Sequence, residues 1–132
     1  MNRAEILAGV GACIAEALDV PVDSIREDQR LVGDLGADSL DLLDLTFKLE
    51  QRFGISISPR QIERSTQARL GGAPLETDGV YSKEAIMEFR RAMPDVPPEE
   101  LPDGLAVVDL ARAFRVSTMA NLVEGILGGT HG

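Results

Sequence analysis

The sequence has few of the residues on which most catalytic and metal sites depend. It contains one cysteine, one histidine and no tryptophan, and aromatic residues make up only 4% of the chain. A single cysteine excludes an intramolecular disulfide and argues against a cysteine-based metal site, so we predict no metal site. Because aromatic side chains are scarce, we expect a small core built mainly from Leu, Ile, Val and Ala.

Basic residues are also in the minority. The chain has 13 Lys and Arg against 22 Asp and Glu, which gives a formal net charge of −9. Nucleic-acid binding needs clustered cations, so we predict no nucleic-acid partner. An acidic surface instead attracts partners that carry basic patches. The N-terminus lacks the pattern of a signal peptide, and no apolar run is long enough to cross a bilayer, so we expect a cytoplasmic protein without stable membrane insertion.

Helical periodicity dominates the rest of the sequence. The predicted helices cover residues 3–18, 39–52, 59–68, 82–93 and a last segment from Ser117, with a further periodic apolar stretch at 105–114. The expected N-caps are Asn2, Ser82 and Ser117. Residues 19–38 form a long connection whose apolar residues predict that it packs on the helices. Residues 70–79 are rich in turn formers, and no β-sheet is predicted. The fold class is therefore all-α.

The most informative segment leads into the second helix. Gly33 and Gly36 precede Ser39, whose hydroxyl lies where free backbone N–H groups and the positive end of the helix dipole point. That environment suits a phosphate ester. Ser39 has no neighbouring base, and the single histidine, His131, lies far along the chain, which argues against a Ser-His-Asp hydrolase. Ser39 is either a simple N-cap or a residue that another enzyme modifies, and we favour modification.

This segment carries a resemblance to a known family. Gly-Ala-Asp-Ser-Leu-Asp at 36–41 resembles the Asp-Ser-Leu signature of acyl carrier proteins, and Phe-Gly at 53–54 and Ile-Ser-Ile at 55–57 follow in the family's order. The resemblance implies that Ser39 receives 4′-phosphopantetheine from coenzyme A through a phosphopantetheinyl transferase. The thiol of that arm, and not Cys13, would hold acyl groups as thioesters. The chain would then be a carrier without a catalytic centre.

The resemblance also implies separate roles for two faces of the second helix. The outward face would dock on basic patches of acyl-loading and acyl-transfer enzymes, through Asp38, Asp41, Leu42, Asp44 and Glu50. Leu40, Leu43 and Phe47 follow the i, i+3, i+7 spacing of one helix face, which is predicted to point inward. The implied acyl pocket is lined by Leu40, Leu43, Phe47, Ile57, Leu122 and Ile126. Lys48 and Arg52 dilute the acidity of this helix.

The resemblance covers residues 3–63 and 105–127 and implies a four-helix bundle. We therefore expect a single, monomeric carrier domain over 1–132, in which an insertion at about 64–104 adds one or two helices. The family's short third helix corresponds either to 59–68 or to 105–114. The insertion resembles that of longer bacterial carriers that serve special lipids, lipopolysaccharide among them.

Three functions remain open at this stage. The favoured one is transport of acyl intermediates in fatty acid or specialised lipid biosynthesis. A peptidyl or polyketide carrier would use the same serine for a different cargo. A helical adaptor would use the acidic face alone to bind a basic partner, with Ser39 unmodified.

Overall fold

The structure is a computed structural model that describes residues 1–57 and 61–129. Two compact units are present. Unit 1 combines Met1–Ile57 with the segment that starts at Phe114, and unit 2 lies between these two parts of the sequence and ends at Ala113. Unit 1 is thus discontinuous in sequence, whereas unit 2 is continuous.

Unit 1 begins with α1, Arg3–Leu18, as the periodicity predicts. Asn2 and Glu5 form a capping box, in which each side chain accepts a hydrogen bond from the other residue's backbone N–H. The predicted apolar stripe is buried at Ile6, Val10 and Ile14, because these positions fall on one side of a helix with 3.6 residues per turn. α1 therefore contributes one wall of the unit 1 core.

The long connection after α1 packs down as expected. It contains a short 3-10 helix at Val22–Ser24 and buries Leu31 completely. Its later part runs antiparallel to the residues that precede the last helix: the N–H of Leu31 donates to the carbonyl of Phe114, and the N–H of Val116 donates to the carbonyl of Gln29. These hydrogen bonds satisfy backbone N–H and C=O groups that the packed loop removes from water and that would otherwise be buried without a partner.

The second helix, α2, spans Ser39–Phe53. It ends at Gly54, whose φ of 65° is the left-handed conformation that glycine adopts without a steric penalty. The predicted Phe-Gly stop is therefore confirmed.

The last helix, α5, spans Val116–Gly129 and closes the core of unit 1. Ser117 was predicted to cap it, and this is wrong: Ser117 lies inside the helix and is buried. The hydroxyl of Thr118 instead accepts the backbone N–H of Arg115, the residue before the helix, so the cap position lies two residues before the predicted one. The core consists of apolar side chains from α1, the connection, α2 and α5, with Val116, Met119, Ala120 and Val123 as the α5 members.

Unit 2 contains two further α-helices, α3 at Gln61–Arg69 and α4 at Lys83–Ala92, with Ser82 as the predicted cap of α4. Its core is organised around α4, where Ile86 and Phe89 are fully buried. The rings of Tyr81 and Phe89 meet edge to face, with centroids 4.8 Å apart. The hydroxyl of Tyr81 also donates to the Glu63 carboxylate at 2.8 Å, which ties α3 to the residue before the α4 cap.

The prediction that the chain has no β-sheet is wrong in one place. Glu76–Thr77 (β1) and Val80–Tyr81 (β2) form a two-stranded antiparallel hairpin in unit 2. Asp78 and Gly79 at its turn both have positive φ, 54° and 79°, and an Asp-Gly pair with this geometry favours a two-residue hairpin turn. The turn signal was present in the sequence, but the strands are too short to show alternation.

The all-α fold class is confirmed, since the hairpin is the only sheet in the part of the chain that the structure describes. Both candidates for a short third helix form helical structure in unit 2: α3 as an α-helix, and Val107–Ala113 as a 3-10 helix. A second 3-10 turn, Pro98–Glu100, interrupts the proline-rich stretch. Among residues 1–57 and 61–129, no helix has both the length and the apolar character needed to cross a bilayer.

Candidate functional site around Ser39

A tight loop delivers the chain to Ser39. The carboxylate of Asp34 accepts the backbone N–H of Arg30 at 2.8 Å and its side-chain Nε at 3.4 Å. These hydrogen bonds, the backbone one above all, lower the pKa of Asp34 below its usual value. Gly36 then adopts a φ of 74°, and the N–H of Ala37 donates back to Leu31. The loop before Ser39 is thus held by its own hydrogen bonds and by its attachment to the buried residue Leu31.

Ser39 is the first residue of α2, and Asp38 is its cap. The carboxylate of Asp38 accepts the N–H of Asp41 at 2.8 Å, and the carboxylate of Asp41 accepts the N–H of Asp38 at 3.0 Å. The alternative in which Ser39 is the N-cap is therefore wrong. Because Asp38 fills the capping role, the exposed Ser39 is not needed as the cap of the helix.

Helix α2 has two apolar stripes, and the structure buries the one that was not predicted to be core. Leu40, Leu43 and Phe47 are 75%, 56% and 56% exposed. Leu45 and Leu49 are buried instead, and Phe53 packs beside them. The expectation that the first stripe points inward is wrong, because a competing i, i+3, i+7 stripe through Leu42, Leu45, Leu49 and Phe53 runs one turn further and faces the core. Leu40, Leu43 and Phe47 therefore do not line an interior pocket in this structure.

The remaining predicted pocket residues, and the predicted docking residue Leu42, lie at different positions in unit 1. Leu42 was expected beside the acidic side chains on the outward face, but it is half-buried and packs against the core of unit 1, as a member of the second stripe. Ile57 also packs against that core. Leu122 and Ile126 of α5 are half-buried. The six predicted pocket residues are thus not gathered into one interior site.

The acidic residues of α2 make specific contacts. Asp38 and Asp41 bind each other's backbone N–H groups. Asp44 accepts Lys48 Nζ at 2.9 and 2.8 Å, and Glu50 accepts the backbone N–H of Ile57 at 2.7 Å. Sequence reasoning identified the charges but missed these intramolecular partners, although the i, i+4 spacing of Asp44 and Lys48 was a visible signal.

Cys13 is unsuited to carry an acyl group. It lies in the core with 4% of its surface exposed, and burial raises the pKa of its thiol above the usual value. The thiolate is the nucleophilic form of cysteine, so a buried thiol with a raised pKa reacts slowly. Thiol chemistry at the surface of this chain must therefore come from an attached group.

The described residues offer little else for chemistry. Within residues 1–57 and 61–129, no cluster of three or more His, Cys, Asp or Glu side chains could hold a metal ion. His131 lies outside the described residues.

Comparison with known proteins identifies the family. The family model described as a phosphopantetheine attachment site matches residues 8–72, a span that contains most of α1, the connection, α2 and α3. An acyl carrier protein of Thermotoga maritima is 40% identical over 63 residues, which are 48% of this chain and 78% of that protein. An acyl carrier protein of Campylobacter hominis is 38% identical over 60 residues, 46% of this chain and 76% of that protein. No solved structure matches the chain significantly. The chain therefore belongs to the acyl carrier protein family: it is a carrier and not an enzyme, and its prosthetic group is 4′-phosphopantetheine.

Proposed function

We propose that Ser39 is the attachment residue and that the chain carries acyl intermediates of lipid biosynthesis. The observation that supports this most strongly is the position of Ser39: it is exposed, begins a 15-residue helix and is freed from capping by Asp38. Its hydroxyl oxygen is able to become the bridging oxygen of a phosphodiester without loss of a helix cap. Once bound, the prosthetic group supplies a terminal thiol that holds the acyl chain as a thioester.

The surroundings of Ser39 fit covalent attachment better than simple binding of a phosphate. Asp38 and Asp41 flank the serine, and their carboxylates already occupy backbone donors of the first helical turn. A second anion is therefore repelled here and would not be retained by electrostatics alone. A covalent bond to Ser39 overcomes that repulsion. The carboxylates of Asp38 and Asp41 are held by backbone N–H groups, which supports a mechanism in which the transferase supplies the base that accepts the hydroxyl proton.

The proposed docking surface for partner enzymes is the exposed face of α2. It consists of Leu40, Leu43 and Phe47, bordered by Asp38, Asp41 and Asp44. Exposed apolar side chains at consecutive turns supply the buried contact on which protein interfaces depend. The border of carboxylates favours approach of partners with basic residues.

We propose fatty acid or specialised lipid biosynthesis, including that of lipopolysaccharide, as the pathway and the cytoplasm as the location. The extended length supports a specialised role: unit 2 interrupts unit 1 in sequence, the layout of a single carrier domain, 1–132, with an inserted subdomain. Ile57, Leu122 and Ile126 stay as the predicted acyl-pocket residues. The acyl chain released from the thioester of protein purified from cells would identify the pathway.

Mass spectrometry of the protein incubated with coenzyme A and a phosphopantetheinyl transferase tests the proposal. We expect one phosphopantetheine adduct, located on the peptide that contains Ser39, and no adduct on Ser39→Ala. Ser56→Ala is the matched control, since Ser56 is another exposed serine of unit 1. An adduct that persists in Ser39→Ala, or an unmodified wild-type chain, would refute Ser39 as the attachment residue.

A further inference from the structure

The carboxylates of the α2 face have hydrogen-bond or ion-pair partners within the chain. Two of its four carboxylates, Asp38 and Asp41, are engaged with backbone N–H groups of the capping box, and that of Glu50 is engaged with the N–H of Ile57. The fourth, Asp44, is paired with an ammonium group. A hydrogen bond from a backbone N–H leaves a carboxylate charged, so among these four only Asp44 has its charge offset by a cation of the same helix.

Lys48 is the residue that lowers the charge most directly. Its Nζ lies 2.9 Å and 2.8 Å from the two carboxylate oxygens of Asp44, and its side chain is 24% exposed. The hydrogen bond that Lys48 donates to Asp44 raises the pKa of Lys48 above its usual value. Such a bidentate contact within one helix fixes the lysine beside the docking surface.

The apolar part of this surface lies beside the neutralised pair. Leu40 and Asp44 are one turn apart, and Phe47 directly precedes Lys48. Leu40, the most exposed of the three apolar residues, lies next to the attachment residue. The surface thus presents three exposed apolar side chains next to a carboxylate whose charge is offset by Lys48.

We propose that Lys48 is a specificity-determining residue, which selects partner enzymes whose carrier-binding surface is apolar at its centre and only weakly basic. The inference rests on the proposed function, because it concerns the same docking surface. A partner with dense Arg and Lys residues is attracted by Asp38 and Asp41, but it gains less at Asp44, whose charge Lys48 offsets, and it meets a like charge at Lys48. A partner with an apolar groove loses nothing, since contact with Leu43 and Phe47 does not depend on charge.

Enzyme kinetics at different salt concentrations tests the inference. The probe is an acyl-loading enzyme of bacterial fatty acid synthesis whose carrier-binding surface is rich in Arg and Lys, and its KM is measured for the phosphopantetheine-bearing protein. For the wild type we expect KM to change less than about threefold between about 50 and 300 mM salt. Lys48→Met keeps the apolar stem of the side chain and should lower KM about threefold at low salt. Lys48→Glu should lower it about tenfold at low salt, with most of the gain lost at high salt.

Control variants separate charge from docking. Lys83→Met and Lys83→Glu change the same charge at an exposed position of α4 in unit 2 and should leave KM unchanged. Phe47→Ala should raise KM about tenfold at every salt concentration. Circular dichroism and urea unfolding check that the Lys48 variants stay folded. If Lys48→Glu does not fold, the comparison of Lys48→Met with the wild type still tests the inference.

The outcomes distinguish this inference from the proposed function. If Ser39 gains no adduct, the proposed function fails before any KM is measured. If the adduct forms but the Lys48 and Lys83 variants behave alike, the specificity role of Lys48 is refuted while the carrier function stands. Dimerisation of the wild type that Phe47→Ala abolishes would also overturn the inference, because the apolar face would then bind a second copy of the chain.

Discussion

Gly9 and Phe53 bring α1 and α2 into close contact: a Cβ added at Gly9 would lie 2.5 Å from Cζ of Phe53. It would also lie 2.9 Å from Nε of Arg52. Gly9 is buried, so no side chain fits at this position unless α2 or the Phe53 ring shifts. The close approach fixes the last turn of α2 relative to the middle of α1.

We therefore expect Gly9→Ala to destabilise the protein by about 1–3 kcal/mol, even though alanine favours the helix by about 1 kcal/mol. Gly11→Ala is the matched control, because its Cβ would meet only Cγ2 of Ile25 at an ordinary 3.9 Å. The control should stabilise the protein by up to about 1 kcal/mol. Urea unfolding of both variants gives the free energies, and equal effects of the two substitutions would contradict the close contact.

The capping box at the start of α2 predicts a difference between two substitutions of Asp38. Asp38→Ala removes the acceptor for the N–H of Asp41 and should lower the free energy of unfolding by about 1 kcal/mol. Asp38→Asn keeps an oxygen acceptor and should retain most of that stability. Thermal unfolding of both variants measures the effect. A loss in Asp38→Asn as large as that in Asp38→Ala would show that charge, and not capping, is what matters at Asp38.

The burial of Cys13 predicts how many thiols react in each form of the protein. A thiol reagent should label the unmodified protein slowly, because Cys13 is 4% exposed and its pKa is raised. Attachment of phosphopantetheine should add one rapidly reacting thiol. In Cys13→Ala the slow thiol should disappear and the rapid one remain. Rapid labelling of the unmodified wild type would mean that the core around Cys13 opens readily.

The hydrogen bonds of Asp34 predict a pH dependence of stability. These hydrogen bonds lower the pKa of Asp34 in the folded protein. The contribution of Asp34 to the free energy of unfolding is therefore fully present above the usual aspartate pKa of about 3.9, and it is lost as pH falls through the lower folded-state pKa. The destabilisation caused by Asp34→Asn should therefore be constant near neutral pH and shrink below about pH 4.

Asp23→Asn is the matched control for Asp34→Asn, since it removes an exposed carboxylate from the same connection. Urea unfolding of the wild type and both variants at several pH values measures the effect. A difference between wild type and Asp34→Asn that stays the same into the acid range would show that the hydrogen bonds from Arg30 do not stabilise the loop.

The sequence predicts the helices of this protein well because the signals are local. The bounds of α1, the Phe-Gly end of α2 and the Ser82 cap of α4 each depend on a few neighbouring residues. The family resemblance is equally local, since it depends on one continuous segment around Ser39. These features can be predicted without knowing which helices pack against each other.

The direction of the α2 faces depends on packing and was not predictable from one stripe. Two stripes share the apolar i, i+3, i+7 spacing, through Leu40 and through Leu42. The choice between them is made by α1, which packs on α2 where the longer stripe faces the core. The hairpin of unit 2 was missed for a different reason: strands of two residues gain their stability from neighbours such as Leu105, whose carbonyl accepts the N–H of Tyr81.

The discontinuity of unit 1 has a consequence for biosynthesis. Its core needs α5, which leaves the ribosome only after all of unit 2 has been made, whereas unit 2 is continuous and has its whole core available earlier. The chain is made from its N-terminus, so α1 and α2 wait with an exposed apolar surface until Val116, Met119 and Val123 arrive. Closing so long a loop is slow, and an inserted segment that folds early shortens the loop that remains to be closed. The modification that we propose for Ser39, if it requires the folded carrier, is therefore expected to be a late event, after the last helix has been synthesised.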